Sequence, residues 1–146
     1  MTALQLCYVS AGLFFMIGLL SGIWKYVGII QSNDATAPEY VSVLHRAALL
    51  YSFATLLLAQ FVQLNPYSET VKLWAVIAVV AFFVFAQSTY LIHALLKDTD
   101  NQFRKPYRLG GMQLPPFIIH SAMILLIVAE IGGFLVLFWG YLQTLL

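Results

Sequence analysis

Ala3-Leu-Gln-Leu-Cys7-Tyr-Val-Ser-Ala-Gly-Leu-Phe-Phe-Met-Ile-Gly18-Leu-Leu-Ser-Gly22-Ile-Trp24 runs for 22 residues without a charged side chain. A helix rises about 1.5 Å per residue and the hydrocarbon core of a bilayer is about 30 Å thick, so roughly 20 apolar residues cross it. This run is long enough to span. Ala35-Thr-Ala37 resembles a signal-peptide cleavage site. However, no Lys or Arg precedes the apolar run, the run exceeds a signal-peptide core, and Pro38 follows Ala37 directly. The segment is therefore expected to stay attached.

Three more apolar runs follow, at about 45–64, 73–96 and 116–142. Over its 146 residues the chain is 62% hydrophobic and 9% charged, with a mean hydropathy of +0.88. Soluble domains carry roughly a quarter charged residues. These features predict an all-α polytopic membrane protein whose residues 1–146 form a single membrane domain, an antiparallel bundle of four transmembrane helices in a lipid bilayer. The seven Lys and Arg are spread over the connections, so no cationic face offers itself to nucleic acid. The lone Cys7 has no disulfide partner in the chain and reads as a small buried hydrophobe.

The connections set the orientation. Loops 25–44 and 97–115 lie on one side with Lys25, Arg46, Lys97, Arg104, Lys105 and Arg108, whereas the opposite side has only Lys72. The positive-inside rule puts both loops in the cytoplasm and both termini outside, as in a bacterial inner membrane. Trp74, Trp139 and Tyr141 then form the outer aromatic belt, and Trp24, Tyr26 and Tyr40 the inner one. Asn33-Asp34 and Pro38 oppose a continuous helix through the first loop. The short Asn65-Pro-Tyr-Ser-Glu-Thr connector makes the second and third spans antiparallel neighbours.

Chemistry-bearing residues gather near the cytoplasmic side. In Val41-Ser-Val-Leu-His45-Arg46-Ala-Ala-Leu-Leu-Tyr51-Ser52, a His-Arg pair stands at the polar edge of the second span. The imidazole can face inward while the guanidinium reaches back to water or headgroups. At 100° per residue His45, Ala48, Ser52, Ala59 and Gln63 share a small, polar, protein-facing stripe. On the third span Ala86, Thr89, Tyr90, His93 and Lys97 share one side. His45, His93 and His120 each fall within roughly 10 Å of the same interface. Tyr51, Ser52, Gln87 and Tyr90 lie in that half of the membrane too.

Two readings of the histidines stand side by side. They are interfacial side chains with no common task, or they line a cytoplasm-facing cavity that binds a metal or a cofactor iron. The local pairing typical of a compact zinc site is missing. Haem needs only one or two histidines and an apolar pocket. Glu130, at the middle of the fourth span, is expected to be neutral and hydrogen-bonded to a neighbouring helix, because a bare carboxylate there is costly. Gly18 and Gly22 form a small-xxx-small pair suited to close helix approach within one chain or between chains.

The stretches Gly18-Leu-Leu-Ser-Gly22, His45 to Ser52, Phe85-Ala86-Gln87, Gly110-Gly-Met-Gln-Leu-Pro115 and Leu137-Phe138-Trp139-Gly140 resemble the hydroxylaminobenzene mutase and styrene oxide isomerase family. The resemblance covers nearly the whole chain and rests on short motifs. It implies a homotrimer with haem b between subunits. The iron, held by His45, would act as a Lewis acid on a small apolar substrate such as an aromatic epoxide or hydroxylamine, without net redox change. Arg46 and Ser52 would help to bind the cofactor, and Tyr51, Gln87 and Tyr90 would line the catalytic pocket. Where the family has Asn-Gly six and seven residues after the histidine, this chain has Tyr51-Ser52. Its third-span amide is Gln87 rather than Asn. His93 or His120 is a candidate second axial ligand. That leaves two rival functions open, a bis-histidine haem electron carrier and a cofactor-free accessory subunit of a membrane complex.

Overall fold

The structure, a computed structural model, describes residues 1–146. Four long helices run antiparallel: α1 (Ala3–Gln31), α2 (Glu39–Gln63), α3 (Glu69–Leu96) and α4 (Pro116–Leu142). Each is long and apolar enough to cross a membrane, and the chain is an integral membrane four-helix bundle. The one other regular element is a small antiparallel hairpin in the connection between α3 and α4, β1 (Arg108–Leu109) and β2 (Met112–Gln113), turned at Gly110-Gly111. Gly110 takes φ +59°, a left-handed conformation that glycine adopts without steric cost.

The helices overrun the apolar runs that announce them. α1 continues past Trp24 to Gln31, and α2 begins at Glu39, six residues before His45. The hydropathy pattern marks the lipid slab, whereas nothing in Tyr26-Val-Gly-Ile-Ile30 breaks a helix that has reached the headgroups. Pro38 and Glu39 suit a helix start, Pro by its fixed φ and Glu by its charge against the helix dipole. The expected loop 25–44 therefore shrinks to a turn at 32–38, and His45 lies in the second turn of its helix instead of opening it. At the other end Thr2 and Gln5 form a reciprocal capping box, with Gln5 N–H donating to Thr2 Oγ1 (3.2 Å) and Thr2 N–H to Gln5 Oε1 (2.9 Å).

α1 packs most extensively on α2, and the small-xxx-small pair is the reason. A Cβ on Gly18 would meet Leu49, and one on Gly22 would meet the His45 ring. Within this chain, the pair serves the α1–α2 contact. The main core fills the terminus-side half with Cys7, Phe14, Leu58, Val62, Val76, Val79, Phe83 and Leu137. Cys7 is fully buried there. A smaller loop-side core centres on Tyr40, Val41 and Ala94. Trp74 and Trp139 are exposed as belt residues should be, but Tyr40 is buried; its ring lies against His93, 4.9 Å between centroids.

α4 stands apart. Its buried residues are Gly133, Leu137 and Gly140, all in its second half. Gly133 touches the Ala75 carbonyl closely enough that a Cβ would sit 2.6 Å from that oxygen. Gly140 lies against the Asn65 amide, which donates to the Leu137 carbonyl (2.8 Å) and accepts from Tyr67 N–H (2.9 Å). The helix is thus pinned at the terminus side and lies looser against α3 at the loop side.

Candidate functional site

That divergence opens a cavity of about 200 Å³ between α3 and α4. Tyr51 and Phe85 stand in its wall, Thr89 and Tyr90 come from α3, Ala122 and Met123 from α4, and Gln102 and Phe103 from the loop above. Tyr51 is held by face-to-face stacking on Phe83, 4.1 Å between centroids and 7° between planes. Phe14 meets both rings edge-on. The space is almost wholly apolar, with a few polar groups to orient an occupant, which is the usual make-up of a small-molecule site. An apolar cavity of roughly 150 Å³ accepts benzene. This one matches a single substituted aromatic ring and is far too small for a porphyrin.

The sequence-derived site residues fall into three places. Tyr51 and Tyr90 meet at this cavity. His45 faces α1, where its Nδ1 lies 2.8 Å from the Gly18 carbonyl oxygen. A carbonyl only accepts, so Nδ1 carries a proton, and in the neutral form of the ring the lone pair is on Nε2. Metal-ligating histidines are oriented by the same kind of bond, and Gly22 leaves the space that the ring occupies. Ser52 is buried on the same stripe. Arg46 points away and pairs with Glu39 at 3.5 Å, both largely exposed, a contact worth about 0–1 kcal/mol.

Gln87 occupies the third place. It is 5% exposed and borders a small hollow of about 150 Å³ with Phe14, Leu44 and Ser88. Neither atom of its amide has a hydrogen-bond partner in the protein.

His93 and His120 lie at the same end of the bundle as His45 but face other neighbours. The His93 ring is wedged between Tyr40 and Asp98, with Nδ1 donating to Asp98 Oδ1 at 2.7 Å. His120 is exposed, its ring edge-on to Tyr107. No group of three His, Cys, Asp or Glu converges in a way that could hold a metal ion.

Asp98 also accepts from Gly110 N–H, so one carboxylate ties the end of α3 to the hairpin. Burial alone would raise its pKa, but the bonds from His93 and Gly110 outweigh this and hold it below the usual carboxylate value. Gln102 N–H donates to the Tyr40 hydroxyl. These bonds seat Gln102 and Phe103 over the cavity. Sequence reasoning had no handle on them, because a loop residue's neighbours depend on where distant groups such as Tyr40 and Asp98 anchor it.

Glu130 departs from its expected pairing. Its Oε1 is buried without a hydrogen-bond partner, beside a second apolar crevice of about 290 Å³.

The chain matches no protein-family model, no curated protein and no solved structure.

Proposed function

We propose that the chain is a membrane isomerase or mutase that acts on a small aromatic, lipid-soluble substrate, with haem b held by His45. The observation that carries this reading is the His45–Gly18 bond. It fixes the ring, and it leaves Nε2 free as a donor. Bound haem would supply a Lewis-acidic iron that polarises a substrate oxygen without net redox change.

The chain's own residues divide the remaining work. The Tyr51 and Tyr90 side chains border the one-ring cavity, where a phenolic hydroxyl can hydrogen-bond a substrate oxygen. Phe85, Met123 and the overlying Phe103 exclude water. Since His45 faces α1 and the cavity lies by α4, a working centre joins His45 of one copy to the cavity of another. A homo-oligomer, a trimer by resemblance, satisfies that need. The 32–38 turn and the 97–115 loop lie in the cytoplasm and both termini outside, as the excess of Lys and Arg on one side argues, in a bacterial inner membrane.

The test is an absorption spectrum of protein made with ample haem supply and purified in mild detergent. The expected result is a Soret band that His45→Ala abolishes, with a sixth iron position open to added ligand. A colourless wild type overturns the haem reading. A six-coordinate, low-spin iron closed to ligands identifies an electron carrier instead.

A further inference from the structure

We propose that the crevice around Glu130 binds a lipophilic ammonium, an amine with an apolar body and at least one N–H. Glu130 lies about 21 Å along α4 from its start at Pro116, near the middle of the span. The crevice lies between α2, α3 and α4, and apart from this carboxyl its lining is apolar, with Leu57, Val79, Phe83 and Phe134 among it. A carboxylate at that depth is costly until a proton or a counter-cation neutralises it. Oε1 is buried and receives no hydrogen bond.

The protein has no cation to offer. Lys25, Arg46, Lys72, Lys97, Arg104, Lys105 and Arg108 are all its Lys and Arg. Lys72 is the nearest along α3, seven residues before Val79 and so about 10 Å away along the axis; it is paired with Glu69. Arg46 lies eight residues before Ala54, about 12 Å along α2, and pairs with Glu39. A second copy in the same membrane orientation has its cations at the same depths and supplies none either.

The crevice has the features an ammonium requires. Phe83 and Phe134 line it, aromatic rings that attract a cation, and the carboxyl group calls for an N–H donor. Leu57, Ile131 and Leu135 at its rim are 51%, 55% and 54% exposed, so it opens sideways to lipid, where such amines concentrate. The stacked Tyr51–Phe83 pair divides it from the tyrosine-lined cavity, which has no carboxyl. This site is separate from the proposed reaction centre, and its binding readout does not depend on a Soret band.

The experiment is equilibrium dialysis of the full chain in phosphatidylcholine nanodiscs against empty nanodiscs. The probes are 4-phenylbutylamine, its N,N,N-trimethyl derivative and 4-phenylbutanol. The expected result is saturable, one-site binding of the primary amine, with the alcohol and the N–H-free cation each weaker by about tenfold or more. Glu130→Gln, with unchanged helicity and elution volume, weakens the amine by a similar factor and leaves the alcohol unmoved. Leu135→Trp, which narrows the mouth without touching the carboxyl, weakens amine binding as well and serves if Glu130→Gln does not fold. Equal binding of amine and alcohol, undiminished amine binding in a folded Glu130→Gln, or indifference to Leu135→Trp overturns the proposal.

Discussion

The His45 imidazole sits over Gly22: a Cβ at position 22 would stand 2.9 Å from Cε1 of the ring, while Nδ1 is held 2.8 Å from the Gly18 carbonyl oxygen. The glycine and the histidine are one device. The missing side chain brings α1 close enough for its backbone to fix the imidazole, and the fixed imidazole engages the backbone through Nδ1 and not through Nε2.

Gly22→Ala should therefore displace a ring that has little freedom to move. We expect a loss of about 1–3 kcal/mol, the usual cost of overpacking, and loss of any Soret band along with it. Gly18→Ala is the control. Its new Cβ meets Cδ2 and Cγ of the Leu49 side chain, which can rotate away, and the Gly18 carbonyl that holds His45 is kept, so the loss should be smaller and the spectrum retained. Thermal unfolding in detergent, followed beside the absorption spectrum, checks both. Equal behaviour of the two variants would show that the His45 seat is not special.

The adjacent glycines of α4 make a second contrast. A Cβ on Gly133 would lie 2.6 Å from the Ala75 carbonyl oxygen and 2.8 Å from Val79 Cγ2, whereas one on Gly132 meets nothing within 4 Å. Backbone cannot swing aside, so Gly133→Ala should pry α4 from α3 and cost about 1–3 kcal/mol. Gly132→Ala should be neutral or slightly stabilising, by up to about 1 kcal/mol. The midpoint of thermal unfolding in detergent separates the two. If Gly133→Ala unfolds with the wild type, α4 is not pinned there.

These contrasts also indicate what the sequence makes legible. The four spans are plain, because lipid imposes one long apolar run per crossing and the chain obeys it. Of the polar stripe, Ala48, Ser52 and Ala59 are buried and His45 is half-buried as its period requires, whereas Gln63 at its far end is exposed. The division of the candidate residues among three places is not legible. His45 and Tyr51 are six positions apart, about 240° around the helix, so a single stretch of sequence serves two different helix interfaces. Which interface each joins depends on how α1 and α4 pack, and that rests on Gly22 and Gly133. Glycine in an apolar run signals close approach but does not name the partner. The Asp98 latch and the Gln102–Phe103 cover are likewise unreadable, being long-range contacts of an irregular loop.

Tyr51 tests whether the cavity does chemistry or only packs. Tyr51→Phe keeps the stack on Phe83 and removes one hydroxyl. We expect kcat/KM on an aryl epoxide to fall about tenfold, the worth of a neutral hydrogen bond, with no change in unfolding midpoint. Tyr90→Phe should act in the same direction. Tyr51→Ala should lower the midpoint too, by emptying the space beside Phe83 and Phe14. Undiminished turnover in both phenylalanine variants would remove the two tyrosines from the catalytic reading.

Acid should undo the cover of the cavity. Asp98 accepts from His93 Nδ1 and from Gly110 N–H, and both side chains of the His93–Asp98 pair are 6% exposed. Its carboxyl titrates below its ordinary value of 3.8 in the folded protein. The unfolded chain therefore binds this proton more readily, and stability falls as it is taken up. The contribution is complete well above 3.8 and is lost as pH drops through the lower, folded value. Asp98→Asn should destabilise the protein at neutral pH by about 1–3 kcal/mol and flatten the acid limb of a stability-against-pH curve below about pH 4. At neutral pH the same variant should be cut faster by trypsin after Arg104 and Arg108, since Gln102 and Phe103 then lose their anchored neighbour. Unchanged cleavage together with an unchanged acid limb would show that Asp98 does not hold the loop down.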